Sequence, residues 1–178
     1  MDFDFKPTLE GPLLTLRPLL RSDFNNLYAV ANDPLLWEQH PDKERYKKEV
    51  FTRFFEAAIE SDHALLAIDK ISGFYAGSSR FHDYDSEKRQ IEIGWSFLGR
   101  PYWGGTYNRE LKQLMLNHAF QYVDVVNLVI DENNQRSRYA ARKIGGQLVE
   151  EGLHRNGLVN VVYAITEESF SHSKASRQ

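Results

Sequence analysis

Residues 92–108 hold the part of this sequence best suited to chemistry. They read Glu92-Ile93-Gly94-Trp95-Ser96-Phe97-Leu98-Gly99-Arg100-Pro101-Tyr102-Trp103-Gly104-Gly105-Thr106-Tyr107-Asn108: a strand, a glycine-bearing loop, then the start of a helix. Glycine lets a ligand approach the backbone closely, because no Cβ stands in the way. The first amides of a helix lack internal partners and carry the positive end of its dipole. Such a loop feeding a helix is an anion site suited to phosphate. Gly104 and Gly105 would serve equally in a tight turn that needs glycine for its dihedral angles alone. Two common phosphate binders are excluded. There is no Gly-Lys-Ser/Thr of a P-loop, and no Gly-x-Gly-x-x-Gly opens a strand–helix–strand unit. What remains is a pyrophosphate held mostly by backbone amides. Arg100 is the nearest side chain for a salt bridge to it, and an ordinary surface arginine fits that position as well.

The elements around this segment can be read from period and punctuation. Gln90–Phe97 alternates, with Ile91, Ile93, Trp95 and Phe97 on one side and Gln90, Glu92, Gly94 and Ser96 on the other. Two strands precede it, Ala64–Ile68 and Phe74–Phe81, with short connections that favour an antiparallel meander. A first strand over Leu13–Arg17 ends at Pro18. A helix capped by Ser22 or Asp23 follows, and a second helix is expected over Pro41–Glu60. The basic cluster Lys43–Lys48, interleaved with Glu44 and Glu49, reads as a solvated helix face. After the loop, a helix over Asn108–Tyr122 leads to a β-branched strand at Val125–Ile130, which implies a parallel pair. Asn134–Ile144 is another helix, stopped by Gly145-Gly146. Leu148–Leu153 and Leu158–Thr166 form a hairpin around Asn156-Gly157. The expected fold is α/β, a mixed but mostly antiparallel sheet of about seven strands with helices on both faces. Residues 1–170 read as one domain and 171–178 as a frayed tail.

Composition bounds the partners. A chain of 178 residues suits one domain, and its 42% hydrophobic residues can build that core. The formal net charge of −3, with no basic stripe, argues against nucleic acid. No apolar run is long enough for a membrane span, and no secretion signal opens the chain. A cytoplasmic location without membrane attachment is expected. With no cysteine there is no thiol nucleophile and no Cys-ligated zinc. The six histidines lack metal-ligand spacing, so no metal is expected, and His118 on an apolar helix face reads as a core residue.

Several short motifs in order resemble the GNAT superfamily of acyltransferases over nearly the whole chain, in particular its Rim-like branch of ribosomal-protein N-terminal acetyltransferases. Leu14-Thr15-Leu16-Arg17-Pro18-Leu19 is similar to that branch's opening strand, and Glu92-Ile93-Gly94-Trp95 to its Glu-Ile-Gly-aromatic strand. Trp103-Gly104-Gly105-Thr106-Tyr107 is similar to its Trp-Gly-x-Gly-aromatic phosphate loop. Asn134-Gln135-Arg136-Ser137 resembles its Asn-x-x-Ser, and Lys143-Ile144-Gly145-Gly146 its Lys-x-Gly-aromatic. Glu151-Gly152-Leu153 and Tyr163 fall where its Glu-Gly and late tyrosine do. Thr106 departs from the family by standing where a second loop glycine is usual, and Gly146 by standing where Phe or Tyr is usual. The usual Arg or Gln before the loop is here Pro101.

The resemblance implies acetyl-CoA as cosubstrate and an amine as acceptor, with the amine attacking the thioester directly. A homodimer is common in such enzymes. The strand ending at Phe97 and Leu98 would splay from its neighbour and pair with the pantetheine arm. Amides from Trp103, Gly104, Gly105, Thr106, Tyr107 and Asn108 would take the pyrophosphate, with Arg100 nearby. Asn134 would bind the pantetheine region, and a helix N-cap is the equal alternative for it. Ser137 would protonate the departing thiolate, with Tyr139 and Tyr163 as alternatives. Glu92 would accept the amine's proton, or simply pair with a neighbouring Arg or Lys. Asp83, Asp85 and Glu87 could attract a cationic substrate, though loop solvation explains them too. Trp37, Glu38 and His40 would line the acceptor pocket, with packing the competing reading for Trp37. A non-catalytic CoA-binding module of the same fold is the alternative, motivated by Thr106 and Gly146.

Overall fold

A computed structural model describes residues 2–173. Its eight strands form one sheet in the order β1-β2-β3-β4-β5-β6-β8-β7. The strands are β1 (Leu9–Glu10), β2 (Leu14–Pro18), β3 (Ala64–Asp69), β4 (Tyr75–Asp85), β5 (Gln90–Leu98), β6 (Val125–Asp131), β7 (Gln147–Arg155) and β8 (Leu158–Ile165). The helices are α1 (Phe24–Ala31), α2 (Lys48–Ser61), α3 (Thr106–Ala119), α4 (Gln135–Lys143) and α5 (Glu167–Ser171). Every neighbouring pair is antiparallel except β5 with β6. The extra strand relative to the sequence reading is β1, only two residues long, too short to show a period.

Alternation on β3 explains the two layers of helices. Leu65 and Ala67 join the core that includes Leu111 and Met115 of α3, while Leu66 between them joins Leu27 of α1 and Phe51 and Phe55 of α2. Neighbouring strand residues point to opposite faces, so α3 covers one face of the sheet and α1 and α2 the other. Both cores are tightly excluded from water, with Leu65, Leu66, Phe51 and Met115 at 0% exposure.

Two boundaries and one side-chain burial differ from expectation. Helix α2 begins at Lys48, not near Pro41. The preceding residues instead form turns tied by local bonds, such as Asp42 N–H to His40 Nδ1 at 2.9 Å. Arg45, expected on a solvated face, is largely buried. Ser171 of the expected tail closes α5, whose first turn is capped by the Thr166 hydroxyl accepting from Ser169 N–H; residues 174–178 lie outside the described residues. The hairpin turn is as read: Asn156 and Gly157 both have positive φ, 54° and 75°, as a type I′ turn requires. Among the described residues, no helix is long and apolar enough to cross a membrane.

Candidate active site

The parallel pair β5–β6 is joined at only three residue pairs, Gln90–Val125, Ile91–Val126 and Glu92–Asn127. Beyond Glu92 the strands part. β6 keeps its partner β8 as far as Asp131–Asn160, and β5 keeps β4 as far as Leu98–Gly77. The β5 edge from Ile93 to Leu98 therefore faces a gap with no strand in it. A cleft of about 690 Å³ fills that gap. Its walls include Ile93–Ser96 on one side and Leu128–Asp131 on the other, with Asn108, Lys112, Asn134 and Ser137 across the opening.

β5 carries a bulge at the cleft. Arg80 pairs with Gly94 and Ser78 with Phe97, so Ser79 alone opposes both Trp95 and Ser96. Trp95 has φ 51°, a left-handed conformation rare for an aromatic residue. Bulges re-aim side chains and backbone next to active sites, and this one turns Trp95 toward the cleft wall.

The loop leading to α3 has the geometry of an anion site. Gly104 and Gly105 have φ of 105° and 120°, and a Cβ on either would meet nothing within 4 Å. The glycines thus serve the backbone turn and border open space. The first α3 bond runs from Arg109 N–H to Gly105 O at 2.9 Å. The amides of Thr106, Tyr107 and Asn108 precede it, and no side chain caps them. Thr106 has entered the helix and has no positive φ, so its substitution for glycine costs the turn nothing. Gly146, the other departure, has no room for an aromatic: a Cβ there would lie 2.7 Å from Ala141 O.

The remaining expected residues divide between cleft and frame. Phe97 and Leu98 bury their side chains in the two cores, and Leu98 O accepts from Trp103 Nε1 at 2.8 Å. Trp103 also lies under the Arg136 guanidinium, 4.4 Å from its ring centre. Tyr107 donates its hydroxyl to Asp69 at 3.1 Å. Arg100 is held in an ion pair with Asp33 and is not among the residues lining the cleft. Asn134 is buried and caps α4, accepting from Ser137 N–H at 3.1 Å. Ser137, Ala140 and Ala141 of α4, with Ile144 just past its end, form the cleft-facing stripe. Tyr163 is fully buried, its hydroxyl accepting from Arg138 and Arg142, while Tyr139 is 56% exposed. Neither tyrosine lines the cleft.

Glu92 sits where the strands divide. It is 7% exposed, and its Oε2 accepts from Arg155 Nη1 at 2.6 Å. Burial raises its pKa above the ordinary carboxylate value, and the Arg155 bond opposes that rise only in part. A Cβ on Gly94 would lie 3.1 Å from Glu92 Oε1, so the bare glycine leaves room for this carboxylate on their shared face. Arg155 also binds Asp83 at 3.1 Å. Asp85 accepts from the amides of Glu87 and Lys88 in a tight turn. Trp37 is a packed core residue whose indole N–H donates to Ala31 O at 2.8 Å. His118 is a core histidine with Nε2 2.7 Å from Asp4 O. His40 lines the cleft, and burial together with the Arg45 charge lowers its pKa to about 3.

Lys112 had no distinguishing mark in the sequence, yet it faces the cleft beneath the bulge. Its Nζ donates to Ser96 Oγ at 2.5 Å, and Ser96 in turn meets Ser79 Oγ at 2.7 Å. Burial lowers its pKa to about 8. Its spacing of four from Asn108 puts both on one side of α3, the one signal that could have drawn attention to it. Among the described residues, no group of three or more His, Cys, Asp or Glu could hold a metal ion.

The fold is shared by solved structures of low sequence identity. A GCN5-related N-acetyltransferase from Brucella melitensis is 19% identical, with a TM-score of 0.82, covering 93% of this chain and 80% of that one. A spermidine N-acetyltransferase from Vibrio cholerae, solved with CoA and spermine, is 15% identical with a TM-score of 0.67, covering 90% of this chain and 99% of that one. RimJ of Mycobacterium smegmatis, in complex with CoA-disulfide, is 18% identical with a TM-score of 0.67, covering 96% and 92%. No curated protein matches the chain in sequence. The model of the acetyltransferase (GNAT) domain family matches residues 14–147, a span from β2 through the cleft to the first residue of β7, and the chain therefore belongs to the GNAT family of acetyltransferases.

Proposed function

We propose that the chain transfers an acetyl group from acetyl-CoA to a primary amine, of a protein N-terminus or a small molecule, by direct attack. The observation that carries this is the parting of β5 and β6 beside an uncapped helix start. An unpaired strand edge suits the amide-bearing pantetheine arm. Free amides at Thr106, Tyr107 and Asn108, with the open Gly104-Gly105 turn, suit its pyrophosphate. Trp103 would hold the loop against β5 through its bond to Leu98. The CoA-bound relatives support the cosubstrate, and the motifs at Leu14–Leu19, Trp103–Tyr107 and Asn134–Ser137 support the Rim-like branch.

Acetyl-CoA supplies an activated thioester. The amine nitrogen bonds to the acetyl carbon while the carbon–sulfur bond breaks. Glu92 takes the proton that nitrogen sheds, directly or through a water, and its raised pKa suits a group that must hold one. Arg155 fixes the carboxylate's orientation. Ser137 gives a proton or hydrogen bond to the thiolate, and Asn134 steadies the α4 turn that carries it. Backbone amides of the bulged strand polarise the carbonyl.

Calorimetric titration with acetyl-CoA, followed by a thiol-release assay on a panel of amines, tests this reading. Glu92→Gln is expected to lower kcat by about 100-fold or more with the acetyl-CoA Kd nearly unchanged, and Ser137→Ala to lower it less. Failure of the unmutated protein to bind acetyl-CoA overturns the proposal. Binding without thiol release on any amine favours the non-catalytic module.

A further inference from the structure

A second cavity of about 420 Å³ adjoins the cleft and shares Asp42, Arg45 and Trp95 with it. Its wall is formed by one face of α2, including Phe54, and by Arg80 of β4. Arg80 is 6% exposed, and no carboxylate in the described structure pairs with it. Its Nε is fully buried without an acceptor, and so is that of Arg45. The two guanidiniums lie on aromatic faces: Arg80 is 4.6 Å from the Trp95 ring centre and Arg45 is 4.4 Å from that of Phe54. Ring faces partly offset lost hydration, yet they offer no oxygen to an N–H fork.

The acids nearby are already engaged. Asp42 pairs with Arg45 at 3.4 Å, and Glu44 binds Lys47 at 2.5 Å. Burial and the neighbouring Arg45 charge lower the Arg80 pKa to about 10, so it stays protonated near neutrality. A buried, protonated, unpaired arginine is costly unless an anion joins it. The planar fork matches a carboxylate or phosphate in bidentate fashion. Polyamines, by contrast, would meet three arginines, Arg45, Arg53 and Arg80, against two carboxylates, Asp42 and Glu44, that are already paired.

We propose that this cavity holds an anionic group, a carboxylate or a phosphate, carried on the same small molecule as the amine to be acetylated, with Arg80 as its main contact and Arg45 as the second. Trp95 lines both the cavity and the cleft, so a group held here lies next to the space proposed for the reacting amine. This inference rests on the acetyl-transfer reading and narrows its acceptor class.

The test uses the full chain saturated with CoA, so that the cofactor's own phosphate site is filled. Phosphoethanolamine and N-acetylglycine are titrated calorimetrically beside counterparts that lack the anionic group, ethanolamine and N-acetylglycinamide. At least one anionic probe is expected to bind about tenfold or more tightly than its counterpart, and whichever does so distinguishes phosphate from carboxylate. Arg80→Gln should remove that preference and Arg80→Lys should keep part of it, with the CoA affinity unchanged. Equal binding within both pairs, or a preference that survives in folded Arg80→Gln, overturns the proposal. The paired probes on the unmutated protein decide the matter even if Arg80→Gln fails to fold. Failure to saturate with CoA would instead overturn the transferase reading beneath it.

Discussion

Helices α3 and α4 both begin at the cleft, and their first turns are finished in opposite ways. At α4 the amide of Ser137 is already bonded to the Asn134 side chain. At α3 the amides of Thr106, Tyr107 and Asn108 have no side-chain cap, and two glycines with positive φ open the space ahead of them. A capped start stabilises the fold whether or not ligand is present. An uncapped one leaves its donors for an anion. Their cleft faces differ too. α4 presents Ser137, Ala140 and Ala141, whereas α3 presents Asn108 and the buried cation Lys112. The contrast supports the proposal that α3 takes the anion, and it gives the Asn134 cap of α4 a framework role beside Ser137.

The largest expected effect tests the buried cation. Lys112 has a pKa of about 8 in the folded chain against 10.5 ordinarily. The folded protein loses this proton first, so the burial penalty is present below about pH 8 and fades as pH rises to about 10.5. Near neutrality, Lys112→Met is expected to exceed the parent in stability by up to about 3 kcal/mol. Urea unfolding across this pH range should show the difference shrinking as pH rises, and a pH-independent difference would break the account of Lys112 as a buried charge.

Next comes the loop. Gly105→Val forces a β-branched residue to φ 120°, a strain of about 1–3 kcal/mol. The acetyl-CoA Kd should rise by roughly tenfold or more, read by calorimetry beside a thermal melt. Thr106→Pro removes one free amide at a position where proline suits a helix. It is expected to weaken acetyl-CoA by about tenfold, worth ~1.4 kcal/mol, with the melting temperature nearly unchanged. Asn134→Ala should do the reverse, costing about 1 kcal/mol of stability and moving the Kd less than Thr106→Pro does. If Asn134→Ala weakens acetyl-CoA more than Thr106→Pro, the division between the two helices is wrong.

These residues were not equally visible beforehand. Gly104-Gly105 and Asn134 announce themselves through local rules of turn and cap, and Asn156-Gly157 marks its hairpin in the same way. Residues expected to reach the ligand from the frame were harder to place. Arg100 meets Asp33, 67 positions away in the chain, and Glu92 meets Arg155, 63 positions away. No window of sequence contains both partners. Lys112 and Arg80 look like ordinary exposed cations, because their burial depends on which helix covers which face of the sheet. Helix α2 begins late for a related reason: the bonds among His40, Asp42 and Arg45 stabilise turns where local propensity favoured a helix.

The division of the sheet has a mechanical consequence. Strands β1–β5 and β6–β8 are two plates riveted along three residue pairs, with no hydrogen-bonded seam above them. An amide-bearing arm laid into the gap would act as a splice, bonding to one plate and wedging against the other. Cosubstrate then becomes part of the molecule's bracing, and the amides flanking the slot, Ile93–Leu98 and Leu128–Asp131, should exchange with solvent more slowly once it is seated.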